Sequence, residues 1–304
     1  MLVNNELSRA PNENIGEHVL NYDTVKNWPF EEVRRSLTAR DTMLYALGIG
    51  MGADPMDRGQ LRFTYEKELQ AVPSMAAVLC SAGGWAAKAG VDYLKIVHGE
   101  QDVTVHRPLP VEGQLRAVSR ITRIVDKGPG KGAVIEVVRD VHGTGDELLA
   151  SVRQITFARG DGGYTANGGR SDEAPEVLPS VPERAPDAEI VLGSVPQAAL
   201  IYRLSGDYNP LHSDPDTAVK AGFPRPILHG LCTYGMATHA VLRHACNYDG
   251  ARLKRMAARF SSPVFPGESI RFQIWNAGNG GLHLRARVDE RDVTVLNNGW
   301  FELA

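Results

Sequence analysis

The feature that most constrains this chain is an internal repeat at nearly constant spacing. Tyr45-Ala46-Leu47 matches Tyr202-Arg203-Leu204 at an offset of 157, Pro73 matches Pro226 at 153, and Gly113 matches Gly267 at 154. Three matches in one order at nearly one offset mark a duplicated unit, because chance matches would scatter in spacing. Between the copies runs GDGGYTANGGRSDEAPEVLPSVPERAPD, residues 160–187, with five Gly, four Pro and almost no periodic apolar pattern. That composition reads as a linker. The expected organisation is a first copy over residues 1–159, the linker over 160–187 and a second copy over 188–304, in keeping with a length of 304 residues.

Each copy is expected to carry one apolar helix, Ser74 to Ala89 and Ile227 to Arg243, opened by the matched prolines. Both are apolar on most sides, as a helix enclosed by a curved sheet must be. After each matched glycine come strand-like segments: Leu115 to Val125, Ala133 to Val141 and Leu148 to Ala158, then Ser269 to Trp275, Leu282 to Val288 and Val293 to Leu303. Each copy therefore reads helix first, sheet after, and the fold class is α+β.

Charge excludes whole classes of partner. With 33 basic and 36 acidic residues the net charge is −3, too balanced for the basic field that nucleic acid or an anionic membrane surface requires. Neither is expected as a partner. Cys80, Cys232 and Cys246 share no metal-like spacing, which fits a reducing compartment. The opening MLVNNELSRAPNENIGEH lacks an apolar core after a basic start, so a secretory signal is not expected. The uncharged stretch Leu69 to Ala87 contains Gln70, Pro73, Ser74, Ser81, Gly83 and Gly84 and reads as buried rather than membrane-spanning. The final Glu302-Leu303-Ala304 is not the peroxisomal Ser-Lys-Leu address. The expected location is the cytoplasm.

The densest chemistry lies in YRLSGDYNPLHSDPDTAVKAGFPRPILHG, Tyr202 to Gly230, which holds Asp207, Asn209, His212, Asp214 and His229. Gly206 and Asn209-Pro210 are turn formers, so a folded loop can bring Asp207 and His212 together. A carboxylate facing an imidazole supplies two proton-transfer groups able to hold one water. Asp214-Pro215 is an N-cap followed by proline at the first helical position, a structural pairing. The first-turn amides of the helix after Pro226, Gly230 among them, lack intrahelical partners and can polarise a carbonyl oxygen.

These residues resemble the signature of the MaoC-like, type 2 enoyl-CoA hydratases. FSSPVFPGESI resembles the strand and turn after that family's central helix, and YALGIG with HGEQDVTVHRPLPVEG resembles the degenerate first repeat of its two-domain members. The resemblance implies a double hot-dog fold, each copy an antiparallel sheet wrapped around a central helix, with the two copies side by side in one sheet. It implies reversible addition of water to a trans-2-enoyl-CoA to give the (R)-3-hydroxyacyl-CoA. By position, Asp207 and His212 become the acid/base pair, Asn209 the orienting residue and the Gly230 amide the donor to the thioester oxygen. The first copy places Gly50, Gly52 and Pro55 opposite Asp207, Asn209 and His212, so one active site per chain is expected.

An acyl-CoA substrate brings phosphates, for which Arg225, Lys254, Arg255 and Arg259 are the nearest candidates, with His229 as a further substrate contact. No redox or metal cofactor is expected, since His212, Asp214 and His229 match no usual ligand spacing. Cys232 reads as packing. Thioester hydrolysis and acyl-CoA binding without turnover are alternative functions on the same fold, and a homodimer is left open. The small residues Ala76, Ala77, Ser81, Ala82, Gly83 and Gly84 in the first copy's helix either enlarge an acyl tunnel or permit close helix-to-sheet packing.

Overall fold

The computed structural model describes residues 20–166 and 168–304. The opening stretch read for a secretory signal lies outside these. Ten strands, β1 (Val33–Leu37), β2 (Ile96–Val105), β3 (Gly113–Asp126), β4 (Ala133–His142), β5 (Leu148–Ala158), β6 (Ala188–Gly193), β7 (Leu253–Phe260), β8 (Ser269–Gly278), β9 (Gly281–Val288) and β10 (Val293–Leu303), form one antiparallel sheet. Its order is β1-β3-β4-β5-β2-β7-β10-β9-β8-β6. Read from either edge inward, the order is the same for both copies, so the sheet has a pseudo-two-fold axis between β2 and β7. The copies are adjacent in one sheet, the double hot-dog arrangement. Gly113 and Gly267 hold φ of 141° and 95° at the turns entering β3 and β8, a backbone that favours glycine, which is why this pair matches.

Two expectations need correction. In each copy an edge strand, β1 or β6, comes before the matched tyrosine and its helix, so the order is not simply helix first and sheet after; both strands are the outermost of the sheet. The first copy also has no helix over Ser74 to Ala89. A 3₁₀ turn spans Pro73–Ala77 and a single α turn spans Trp85–Lys88, with irregular chain between them. Cys80 and Gly84 sit at φ 51° and 71°, outside the helical region. Small residues and paired glycines give little helix propensity, and the buried Arg139 of β4 takes up the carbonyls of Ala76 and Ala77 at 3.4 and 2.8 Å. The six small residues therefore share no helical face.

The α-helices are α1 (Tyr22–Lys26), α2 (Ala39–Gly48), α3 (Arg58–Thr64), α4 (Trp85–Lys88), α5 (Ala198–Tyr202), α6 (Pro215–Lys220) and α7 (Gly230–Ala245). The central helix α7 starts at Gly230 rather than Ile227, and every residue from Cys232 to Leu242 is buried. It packs in one core with Ile270, Phe272, Leu284, Leu296 and Phe301 of the second copy's strands. Burying each such side chain is worth roughly 1.5–3 kcal/mol. Toward the first copy, α7 presents Gly235, where an added methyl would lie 2.5 Å from Ile49 Cγ2. The repeated tyrosines meet at the axis: Tyr45 of α2 and Tyr202 of α5 are fully buried, ring centroids 5.8 Å apart.

The seam between copies is also ionic. β2 pairs with β7 from Glu100↔Arg259 to Thr104↔Arg255. Arg259 binds Glu100 at 2.7 Å and Arg255 binds Asp102 at 2.9 Å. Residues 160–187 contain no strand or helix among the described residues. They are pinned to the sheet, Trp275 Nε1 donating to the Arg184 carbonyl at 2.9 Å and Asp172 accepting from the Ile124 amide at 2.8 Å.

Candidate active site

The loop between α5 and α6 is built from its own side chains. Asp207 Oδ1 accepts from the Asn209 amide at 3.1 Å, and Asn209 Oδ1 accepts from the Leu211 amide at 3.0 Å, capping the 3₁₀ turn Pro210–His212. Two successive Asx turns of this kind fold a loop without help from the sheet. Asn209 is exposed, and with its oxygen committed to the turn only its NH₂ group remains for a ligand.

His212 lies buried on that turn, its Nδ1 2.9 Å from the Ile227 carbonyl. A carbonyl can only accept, so the proton sits on Nδ1 and Nε2 presents a lone pair. Burial holds the imidazole below its ordinary range, opposed by the Ile227 carbonyl and the Asp207 charge. His229, the N-cap residue of α7, donates from Nε2 to the Asp207 backbone carbonyl at 3.1 Å. Its ring stacks on that of His212, centroids 3.8 Å apart and planes at 28°. Burial, reinforced by His212, pushes His229 down to about 4. It is a neutral strut between α7 and the loop.

One oxygen or nitrogen each from Asp207, His212 and His229 lies within 4.8 Å of the others. Gly230 follows at the start of α7, and its N–H has no partner among the described residues, as expected of a first-turn amide. A methyl on Gly230 would lie 3.1 Å from the Phe260 ring, so any larger residue would press that ring away from the helix start. The arrangement is a carboxylate close to two imidazoles, with the helix-start amide of Gly230 next in sequence to the second of them.

The other residues fall elsewhere. Asp214 caps α6, accepting from the Asp216 amide at 3.0 Å and the Thr217 hydroxyl at 2.7 Å, so it does not join the histidines. The buried Cys232 thiol donates to the Gly48 carbonyl at 3.2 Å, and burial raises it well above its ordinary range. Arg255 and Arg259 are held by the seam carboxylates, so neither offers the free guanidinium read for phosphate. Lys254 is exposed, and the exposed Arg225 lies over Phe265 at 5.0 Å. His98 of β2 was not singled out; its ring lies against Phe260, centroids 4.6 Å apart. The signal for it was the glycine beside it in a strand, a mark of a bulge.

Comparison with known proteins agrees with this architecture. The MFE-2 hydratase 2 N-terminal domain matches residues 36–160 and the MaoC like domain matches residues 177–298. The chain is 42% identical over 276 residues to the 3-hydroxyacyl-thioester dehydratase Y of Mycobacterium tuberculosis, covering 87% of this chain and 92% of that protein. It is 36% identical over 294 residues to the peroxisomal enoyl-CoA hydratase 2 of Arabidopsis thaliana, covering 91% and 93%. The crystal structure of a MaoC-like dehydratase from Phytophthora capsici superposes with a TM-score of 0.80 at 33% identity, covering 93% of this chain and 99% of that one. Fold and sequence together define a double hot-dog protein. The chain belongs to the MaoC-like, hydratase 2 family.

Proposed function

We propose that this protein is an enoyl-CoA hydratase that adds water reversibly to a trans-2-enoyl-CoA to give the (R)-3-hydroxyacyl-CoA. The observation that carries this reading is the closeness of the Asp207 carboxylate and the His212 ring, whose Nε2 keeps a lone pair, with the Gly230 amide at the start of the adjoining helix. Asp207 and His212 hold the water between them; its hydroxyl bonds to C3, and the pair takes up one proton and returns one to C2. The Gly230 amide stabilises the enolate charge on the thioester oxygen, and the Asn209 NH₂ group orients the site. The chemistry belongs to the copy at 188–304, with residues 1–159 the copy that has lost its acid/base groups and 160–187 the linker. Loss of enoyl absorbance on mixing with a trans-2-enoyl-CoA tests the reading. Release of free thiol faster than formation of hydroxyacyl-CoA would replace it with thioester hydrolysis.

In this scheme the thioester and the Gly230 amide already acidify C2, so no metal or redox cofactor takes part. Treatment with EDTA is expected to leave the rate unchanged. Activity lost to EDTA and restored by zinc would instead assign Asp207, His212 and His229 as metal ligands.

In the first copy Ser81, Ala82 and Gly83 line an open cleft of about 290 Å³ with Trp28, Phe30, Trp85, Glu31 and Lys88, and we assign the acyl group to it. A medium or long acyl chain, or a bulky ring, is expected to be accepted better than a four-carbon one. Gly83→Leu, into open space, is expected to shift the kcat/KM profile toward short chains; a profile that peaks at four carbons and ignores the substitution refutes this. Among the described residues no helix is long and apolar enough to cross a membrane. The three free cysteines support a reducing location, and we place the protein in the cytoplasm.

A further inference from the structure

Strand β2 carries an irregularity at the point where the two copies meet. Its pairing with β5 shifts register between His98 and Glu100, leaving Gly99 as the extra residue of a bulge. A methyl on Gly99 would lie 3.2 Å from the Ile155 carbonyl, so the bulge uses a residue that lets the strands stay close. Bulges turn the local strand and re-aim a side chain. Here the side chain is His98, just beyond the last β2–β7 pair, Glu100↔Arg259.

The re-aimed ring crosses the seam. It lies against Phe260 with centroids 4.6 Å apart, and the same Phe260 ring borders Gly230 at the start of α7. His98 Nε2 is shielded from solvent yet has no hydrogen-bond partner among the described residues. An unpaired buried nitrogen is costly, and such a group in a site points to a partner that arrives with the ligand.

We propose that His98, contributed by the copy without acid/base groups, is a substrate-binding residue whose Nε2 hydrogen-bonds an amide of the pantetheine arm of the bound acyl-CoA. This rests on the hydratase reading for the identity of the ligand. With the thioester oxygen at the Gly230 amide, the substrate lies beside Phe260, the ring that His98 also touches. A fatty acyl chain has no polar atom to offer there, whereas the pantetheine arm carries amides a few bonds from sulfur. Burial pushes His98 down to about 4, against the pull of the Glu100 backbone, the Asp207 charge and the Gln101 side chain, so at neutral pH it binds as a neutral ring and carries no proton for the reaction.

The test compares two thioesters of one trans-2-enoic acid, the CoA thioester and the S-ethyl thioester, which has no amide. His98→Phe keeps the ring contact with Phe260 and removes the nitrogen; it is expected to lower kcat/KM for the CoA thioester by about 10-fold or more, mainly through KM, the size of a lost buried hydrogen bond. The S-ethyl thioester should lose less than about 2-fold, and His98→Gln, which restores a polar atom, should recover most of the CoA rate. Equal losses on both thioesters, or none on either, overturn the proposal. Binding of saturated butyryl-CoA by calorimetry gives a readout without turnover: His98→Phe should weaken it by a similar factor, and unchanged affinity refutes the contact. Wild-type protein that binds butyryl-CoA but hydrates no enoyl-CoA would overturn the hydratase reading, while the binding comparison still decides the role of His98.

Discussion

Asp207→Asn and His212→Ala are each expected to lower kcat by about 10²- to 10⁴-fold, the usual contribution of a positioned acid or base. Both residues act on one water, so the double variant should lose little more than the worse single one. Folding should survive both: Asn can still accept from the Asn209 amide, and His212→Ala removes one hydrogen bond, to the Ile227 carbonyl, and the stack on His229 while leaving the Asx turns of the loop in place. Near wild-type rates in both variants would end the assignment. The pH profile gives a second check. The His212 lone pair is needed, and burial holds that imidazole below its ordinary range, so the rate should persist as pH falls through the ordinary histidine range and drop only below it. Stability sets a limit on the measurement. His98, His229 and His239 are pushed to about 4 in the fold, while unfolded histidines take up protons near 6.5. The unfolded state therefore binds more protons between these values, and stability declines as pH falls through that window. Far-UV circular dichroism at each pH separates a lost base from a lost fold.

Tyr45→Ala is expected to destabilise the protein by about 3–5 kcal/mol, the cost of removing a fully buried aromatic side chain. Its ring faces Tyr202 across the pseudo-two-fold axis, so the void opens where the two copies lean on one another. The Ser74 hydroxyl, also buried, would lose its 3.0 Å contact with the tyrosine hydroxyl and add an unpaired polar group. Against a typical total of about 5–15 kcal/mol, such a loss is a large fraction. Tyr45→Phe keeps the ring and should cost only about 1 kcal/mol. Urea unfolding of the three proteins measures this; equal midpoints for wild type and Tyr45→Ala would show that the tyrosine pair does not hold the copies together.

The parts of this structure that can be read from sequence are those whose causes are local. The Asp207 to His212 loop is made by its own Asx turns, and α6 by Asp214 and Pro215, so their residues announce them. The strand β2 is harder, because Glu100, Gln101 and Asp102 are buried there. A run of polar residues reads as surface unless the arginine partners of Glu100 and Asp102, more than 150 positions away, are known. The edge strands β1 and β6 are short and bond on one side only; their burial alternates, but the exposed Val191 and the half-buried Arg35 hide that alternation in the sequence. The broken helix of the first copy depends on Arg139, which reaches it from β4. His98 escaped notice for the same reason: its significance lies in Phe260 and Gly230, contributed by the other copy.

The charges of the seam also decide what each copy can recognise. Both carboxylates, Glu100 and Asp102, belong to the first copy and both guanidiniums, Arg255 and Arg259, to the second. Asp102↔Ala257 is the middle pair of the register. Two first copies joined about the same axis would thus set Asp102 against Asp102 with the glutamates alongside, and two second copies would set arginine against arginine. Like charges in that position repel. Divergence after duplication has therefore biased this seam toward unlike halves, the join of each copy with its own kind being disfavoured by charge.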